Sequence, residues 1–400
     1  MANLLYLVHR LPYPPNKGDK VRSFHLLKHL ARKHRVYLGS FIDDPDDERH
    51  LSALSQYCVG MHVARLTPSL AKVASLKGLL SNQALTVPYY KNHGLQNWVN
   101  RTVEKEKIET AIIFSSAMAG YIQNLPKLRT LIDFVDVDSA KWTQYADNHR
   151  WPLSWLYRRE GKKLLDFERK MAMRSEKSFF VTEKEADLFC GMAPECTGKV
   201  SAMSNGVDAD FFSPEHDLVS PYAPDEIPIV FTGAMDYWPN IDAVTWFDSE
   251  MRPKLMVKWP RIRFYIVGRN PSAAVQGLAK PDNTIVTGTV QDVRPYLRHA
   301  QVVVAPLRLA RGIQNKILEA MAIGRPVVAS QECATAIDVV AEKDLLVAKS
   351  TEEYISSVDT LLRSPNYAAA VGKSARQRVM AKYSWDAHLS TIDDYLENSG

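Results

Sequence analysis

Short runs of apolar residues alternate with longer amphipathic stretches along the whole chain. In the first half the runs are LLYLV (4–8), VYLGSF (36–41), MHVARL (61–66), AIIFSS (111–116), LIDFVD (131–136) and SFFVTE (178–183). In the second half they are IPIVFTG (227–233), IRFYIVG (262–268), TIVTG (284–288), QVVVAP (301–306) and RPVVAS (325–330). Strands that are apolar throughout are buried on both faces, and helical patterns between them supply the cover, so parallel sheets are expected. Two such series predict two doubly wound α/β domains.

The joint between them falls in SNGVDADFFSPEHDLVSPYAPDEIP, 204–228, where prolines cluster and the periodicity lapses. This predicts one domain over 1–205 and another over 206–382. A helix over about 383–400 presents Trp385, Leu389, Ile392 and Leu396 on one side and is expected to pack back on the first domain. Ligands of such sheets sit beyond the carboxyl ends of the strands, so a cleft between two facing sheets is the expected place for chemistry.

Composition narrows the class without naming it. Apolar residues make up 46% and charged residues 24% of 400 residues, which is the balance of a soluble globular protein. LLYLV is too short for a signal peptide and no run reaches the length of a membrane span, so a cytoplasmic protein is expected. Cys58, Cys190, Cys196 and Cys333 have neither metal-type spacing nor an evident pairing, which reads as reduced thiols. Residues 1–205 carry 30 Lys and Arg against 21 Asp and Glu, while 206–400 carry 20 against 24. Leu51 to Asn100 holds four basic residues and no acidic one. Within it, LTPSLAKVASLKGLLS predicts an apolar helix edged by Lys72 and Lys77, suited to an anionic bilayer or acidic acceptor and equally to an ordinary half-buried helix. WPLSWLYRREGKKLLDFERKM (151–171) predicts an amphipathic helix with the same two readings. Nucleic acid is not an expected partner, because the basic residues are not interleaved with stacking aromatics.

The candidate chemistry is concentrated in GIQNKILEAMAIGRPVV, 312–328. A loop from Pro306 leads to a helix beginning near Asn315, so the amides of Gly312, Ile313, Gln314 and Asn315 lie at a helix start at the carboxyl edge of a sheet, where anions bind. Lys316 in the first turn opposes its own helix dipole, a placement that makes sense beside a bound anion. Glu319, one turn on, is suited to accept hydrogen bonds from a ligand diol such as ribose. The same residues also fit a Lys–Glu pair on a solvated face. Asp136 and Asp138 form a D-x-D, read as carboxylates touching sugar or acceptor, with cation binding the weaker alternative. In PYPPNKGDK, Gly18 permits close backbone approach, and Asp19 and Lys20 are candidates to position an acceptor. His25 and His29 are an i, i+4 pair, read as a solvated basic face because no third metal ligand lies nearby.

GTVQDVRPYL, AQVVVAPLR and GIQNKILEAMAIGRPVV together resemble the C-terminal domain of the retaining GT-B glycosyltransferases, specifically glycosyltransferase family 4. SNGVD followed by FFSP resembles that family's interdomain stretch, and the first forty residues resemble its opening strand, glycine loop and helix. The PYPPNKGDK and DFVDVDS wording is closest to the glycosyltransferases of exosortase (PEP-CTERM) systems in exopolysaccharide-producing bacteria. The resemblance implies a GT-B fold: an acceptor-binding first domain and a nucleotide-sugar-binding second one. It implies a retaining transfer to a saccharide acceptor, expected to be lipid-linked, in exopolysaccharide or cell-surface glycan synthesis. It implies Lys316 and Glu319 on diphosphate and ribose, Val290 of the G-x-V turn under the nucleobase, and Gly233 after the first strand of the second domain.

The sequence departs from the family at two points. Arg311 stands where the first glutamate of the Glu-x7-Glu pair is usual, and Gly233-Ala234 replaces the usual Gly-Arg. Arg308 or Arg311 is expected to restore the missing cation. The catalytic expectation therefore rests on Lys316, Glu319, Asp136 and Arg308, with Asp138 on the acceptor. No cofactor and no metal ion are expected, the nucleotide sugar being a co-substrate, and the inner face of the cytoplasmic membrane is the expected location. A nucleotide-sugar 2-epimerase and a non-catalytic nucleotide-sugar-binding scaffold are the alternatives.

Overall fold

The computed structural model of the chain describes residues 1–15, 18–147, 149–309 and 313–397. The chain folds into two compact units, Met1–Asn205 with the chain from Thr391 onward, and Gly206–Ser390.

The first unit is built on a seven-stranded sheet of β1 (Asn3–Val8), β2 (Arg35–Ile42), β3 (Gly60–Arg65), β4 (Thr110–Phe114), β5 (Arg129–Val135), β6 (Lys177–Phe180) and β7 (Val200–Ala202). Its order is β3-β2-β1-β4-β5-β6-β7 and every neighbouring pair is parallel. The second unit has β8 (Ile227–Thr232), β9 (Ile262–Val267), β10 (Thr284–Gly288), β11 (Val302–Ala305), β12 (Val327–Ser330) and β13 (Leu346–Ala348). These run β10-β9-β8-β11-β12-β13, again all parallel. The apolar runs form strands because helices cover both faces: Leu4 to Val8 and Val302 to Ala305 are buried almost completely. β7 and β13, three residues each at sheet edges, are too short to leave a pattern in the sequence.

The helices that matter to function are α1 (Gly18–Lys33), α2 (Pro68–Ser75), α3 (Asp138–Asp147), α4 (Leu153–Arg174), α5 (Trp238–Trp246), α6 (Asn315–Ala322), α7 (Pro365–Lys382) and α8 (Trp385–Glu397). α1 is tied to the first sheet by an ion pair that its sequence did not announce. Arg22 donates from Nε and Nη2 to the Asp133 carboxylate on β5 at 2.7 and 3.1 Å, and from Nη1 to the Asn205 side chain at 2.9 Å. Arg22 and Asp133 are each 1% exposed, so each charge depends on the other for its solvation. Asp393 on α8 accepts from His29 at 3.0 Å and from Lys33 at 2.8 Å, both on α1. His25 and His29 are buried rather than standing on a solvated face, and α8 covers His29, which corrects the sequence reading. Trp385, Leu389, Ile392 and Leu396 are all buried. No helix among the described residues is long and apolar enough to cross a membrane.

In each sheet the chain reverses its direction of travel between two central strands, β1 and β4 in the first and β8 and β11 in the second. At such points the loops leaving neighbouring strands diverge, opening a crevice at the carboxyl edge. The candidate residues cluster at both.

Candidate active site

In the second unit, β8 ends at Thr232 and the backbone turns at Gly233, φ +157°. A Cβ there would meet Asn240 Nδ2 at 2.8 Å and Lys316 Nζ at 3.0 Å, and a Cβ on Gly268 would meet the Gly233 carbonyl oxygen at 1.6 Å. Only glycine at both positions lets the two strand ends and the lysine come together. α6 begins at Asn315, as its pattern predicts, with Gln314 in extended conformation at the capping position and no acidic residue in the first turn. Lys316 therefore meets the positive end of its own helix without a carboxylate to offset it.

Its ammonium is held from the opposite side of the crevice. Lys316 donates to the Asn240 side-chain oxygen and lies 4.3 Å from the centre of the Phe231 ring. Asn240, on α5, is 4% exposed and donates in turn to the Ala234 carbonyl at 2.9 Å. Burial pulls Lys316 down to about 8, against the opposing influence of Cys333 and Glu319. Burial likewise pushes the Glu319 carboxyl up, with the charge of Lys316 only partly offsetting it. The two side chains make no ion pair, so the solvated Lys–Glu pair that the spacing allows does not form. A cation and a carboxylate, both half-buried, thus stand one turn apart on α6 without pairing, and the Thr232 hydroxyl at the end of β8 is buried without a hydrogen-bond partner.

Arg308 does not stand free. It donates to both oxygens of Asp242 on α5 and its guanidinium lies 5.0 Å from the centre of the Trp246 ring. Its charge is taken up by that carboxylate in this structure. Val290 is partly buried against the second core, and Ile313 is exposed. Arg311 and Gly312 lie outside the described residues.

The first unit gathers its candidates at the carboxyl ends of β1, β4 and β5. Gly18 opens α1, and Asp19 beside it accepts from Arg10 Nη1 at 2.9 Å with His9 Nε2 at 3.5 Å. Burial works to raise the Asp19 carboxyl, but His9 and Arg10 overcome it and hold the group well below the usual carboxylate range. Arg10 also reaches Asp43 at 2.8 Å, and His9 stacks on Phe114 with ring centres 5.9 Å apart. Lys20 is placed differently from the expectation. It is 1% exposed and paired with the buried Asp47 at 2.5 Å, because α1 turns that face against the segment that follows β2.

Asp136 and Asp138 converge as the D-x-D spacing suggests, and Lys141, one turn into α3, donates to them at 2.8 and 3.2 Å. An ammonium thus occupies the position that a hard cation would share. Ser116 lies 3.5 Å from Asp138. The backbone is strained beside these groups: Ser115 has φ +76° and Val135 φ +71°, conformations that cost a β-branched residue most. Behind them Glu168 on α4 is 1% exposed, with neither buried carboxylate oxygen in a hydrogen bond of good geometry and Ser139 beside it opposing the effect of burial only in part. Burial pushes it up to about 8, and the nearby charge of Asp138 adds to the effect of burial. Among the described residues, no group of three or more His, Cys, Asp or Glu is placed to hold a metal ion.

Asn240, Thr232, His9, Lys141 and Glu168 were not singled out by the sequence reading. Asn240 offered one signal, a polar residue at a buried position of the apolar run WPNIDAVTW just after the glycine turn.

Comparison with known proteins bears on this geometry. Residues 226–364 match the family model for glycosyl transferases group 1. Among solved structures, the sucrose-phosphate synthase tll1590 from Thermosynechococcus elongatus aligns over 99% of this chain and 98% of its own, at 17% identity and TM-score 0.57. Anabaena Alr3699/HepE in complex with UDP aligns over 99% and 100%, at 14% identity and TM-score 0.60. A glycosyltransferase from Rickettsia africae ESF-5 aligns over 100% and 99%, at 12% identity and TM-score 0.62. The chain has the GT-B fold. No curated protein sequence matches it. The group 1 match over most of the second unit, joined to that fold, supports a glycosyltransferase of the GT-B type.

Proposed function

We propose that this protein is a retaining glycosyltransferase that moves a sugar from a nucleotide-sugar donor to a hydroxyl of a saccharide acceptor. The observation that carries the reading is Lys316: a half-buried ammonium at a helix start, aimed across a glycine turn and unpaired with any carboxylate among the described residues. A diphosphate is the ligand that would offset both its burial and its opposition to the helix dipole. Glu319, half-buried and without a hydrogen-bonded partner among the described residues, is the acceptor for the ribose hydroxyls. UDP as the first nucleotide to try follows from the Anabaena HepE complexes with UDP and with UDP-glucose.

In this reading Lys316 and the amides at the start of α6 stabilise the negative charge that develops on the departing diphosphate, which is electrostatic rather than covalent catalysis. The acceptor hydroxyl then adds on the face the diphosphate has left, its proton passing to an oxygen of the departing diphosphate. Asp136, Asp138 and Asp19, all in the first unit, orient the acceptor, with Lys141 neutralising the first two. That neutralisation supports metal-independent transfer. Arg308 would join the phosphates only by leaving Asp242.

We place the acceptor on a lipid carrier in cell-surface glycan or exopolysaccharide synthesis, of the exosortase-associated kind, at the inner face of the cytoplasmic membrane. Support comes from α2, where Leu70 and Val73 are 69% and 68% exposed, with Leu76 just beyond and Lys72 and Lys77 beside them. Trp151, just before the start of α4, and Trp155, in its first turn, are also exposed. Apolar side chains edged by lysines suit the headgroup boundary of an anionic bilayer.

The direct test incubates the protein with UDP-, GDP- and ADP-sugars and a bacterial lipid extract, with EDTA present, and follows nucleoside diphosphate release. Release that needs the extract, with the anomeric configuration kept in the product, supports the proposal. An isomerised nucleotide sugar would mean an epimerase, and saturable binding without release or isomerisation would mean a scaffold.

A further inference from the structure

One cavity in the second unit does not lie at the carboxyl edge of its sheet. About 890 Å³ in volume, it lies at the opposite edge, where Gln301 leads directly into β11 and Pro326 directly into β12. That volume is within the range of small-ligand sites, roughly 300–1,000 Å³. The full length of β11, about 13 Å at ~3.3 Å per residue, separates this edge from the loop that leads to Lys316.

Its lining is charged in one sense only. Arg298, Arg325, Lys373 and Arg376 all contribute, and no Asp or Glu does. None of the four makes an ion pair with a carboxylate among the described residues. Arg376 is occupied structurally, donating to the carbonyls of Ala209, Phe212 and Ala322. Arg298 and Arg325 are only partly satisfied, Arg298 by the Pro214 carbonyl at 3.0 Å and Arg325 by the Ala300 carbonyl at 3.3 Å. The Arg325 Nε is buried with no partner. Burial lowers Arg325 to about 10, and the neighbouring charge of Arg298 pushes the same way. Two half-buried guanidinium groups lining one cavity, with no carboxylate among the described residues to neutralise them, cost stability unless an anion joins them. Lys373 is exposed at the mouth.

Most of the remaining wall is apolar, formed by Ile323, Leu362 and Met380 with small alanines of α7, and Gln301 and Gln377 are its neutral polar members. Guanidinium forks match phosphate oxygens in geometry, and an apolar wall beside them has no use for a bare ion.

We propose that this cavity is a second ligand site, separate from the donor crevice, that binds a phosphate ester carrying an apolar chain. The phosphate sits between Arg298, Arg325 and Lys373, and the chain lies against Ile323, Leu362 and Met380. The site is independent of the catalytic reading, since none of its residues serves the donor crevice.

The test is isothermal titration of the full chain with octyl phosphate below its micellar concentration, beside inorganic phosphate and octyl glucoside. Saturable binding of octyl phosphate, at least about ten-fold tighter than either control, is expected from combining charge-assisted hydrogen bonds with apolar burial. Lys373→Glu, at an exposed position that leaves folding untouched, is expected to weaken it about ten-fold or more, as is Arg325→Gln. Lys316→Ala is expected to leave it unchanged. Tight binding of inorganic phosphate alone would mark a site for free phosphate and overturn the amphiphile. Binding equal for octyl glucoside, insensitive to Lys373→Glu, or lost in Lys316→Ala would overturn the site, as would no saturable binding.

Discussion

Lys316 reaches across the glycine turn to Asn240 and makes no ion pair with Glu319, its neighbour one turn along α6. The cation is thus held by a neutral amide and an aromatic ring, in surroundings that depress its pKa to about 8. A group so placed is a cost to the folded state that a ligand would relieve. Lys316→Met, of similar length and without charge, is expected to raise the unfolding free energy by about 1–3 kcal/mol at pH 7. The same variant is expected to lose nucleotide binding. Urea titration reads the first effect and calorimetry the second; a Lys316→Met protein less stable than wild type would make the lysine a structural residue.

Gly233 sets the distance between Lys316 and the turn. The added methyl of Gly233→Ala would press on Asn240 and on the lysine ammonium, both within about 3 Å of it. We expect nucleotide affinity to fall at least about ten-fold while the melting temperature drops by only a few degrees. Gly268→Ala is the contrasting case, because its methyl would strike the Gly233 carbonyl and the backbone itself would have to move. That variant is expected to lose several kcal/mol of stability. Equal stability losses in the two would show that Gly233 serves packing alone.

Glu168 gives the first unit a pH dependence of definite sign. With its carboxyl raised to about 8, the folded state keeps a proton that the unfolded chain releases near the ordinary glutamate value. Its contribution to stability is therefore complete below about pH 4.5 and is lost as pH rises through about 8. Glu168→Gln removes the titration and keeps the shape. The stability difference between variant and wild type should grow in the variant's favour from pH 5 to pH 8, by roughly 2–4 kcal/mol. A difference that stays flat over that range would place a solvated or paired carboxylate at this position.

The exposed face of α2 is open to test with vesicles. Leu70→Glu combined with Val73→Glu replaces two solvent-facing apolar residues and should leave the melting temperature within about 2 °C of wild type. Sedimentation with phosphatidylglycerol vesicles is expected to fall about ten-fold or more, and wild type is expected to bind phosphatidylcholine vesicles weakly. Equal sedimentation of variant and wild type would remove the membrane from the account.

Eleven strands were legible, most of them because burial on both faces leaves a nearly continuous apolar run; β3 and β10, only partly buried at the sheet edges, were legible from short apolar runs. β7 and β13 left none, since three residues cannot establish a period. At the site, the helix start at Asn315 and the lysine behind it were readable from local pattern. What holds the lysine was not, because Asn240 precedes it by 76 positions and its partnership exists only once β8 and β11 lie side by side. The same limit hid the pairs Arg22–Asp133 and Lys20–Asp47. A charge in an amphipathic helix looks the same in sequence whether it faces water or a buried carboxylate. Arg308 shows the converse, a cation that spacing placed near the phosphates and that Asp242 holds instead.

The central claim is that Lys316 receives a nucleoside diphosphate, and calorimetric titration of UDP, GDP and ADP in EDTA at pH 7 and pH 9 tests it most directly. One nucleotide should bind wild type at pH 7, weaken as pH rises past about 8 while the lysine loses its proton, and bind Lys316→Ala about ten- to a hundred-fold more weakly. The variant should show no comparable loss between the two pH values. Binding of equal strength in Lys316→Ala, or no binding of any of the three to wild type, would contradict the account.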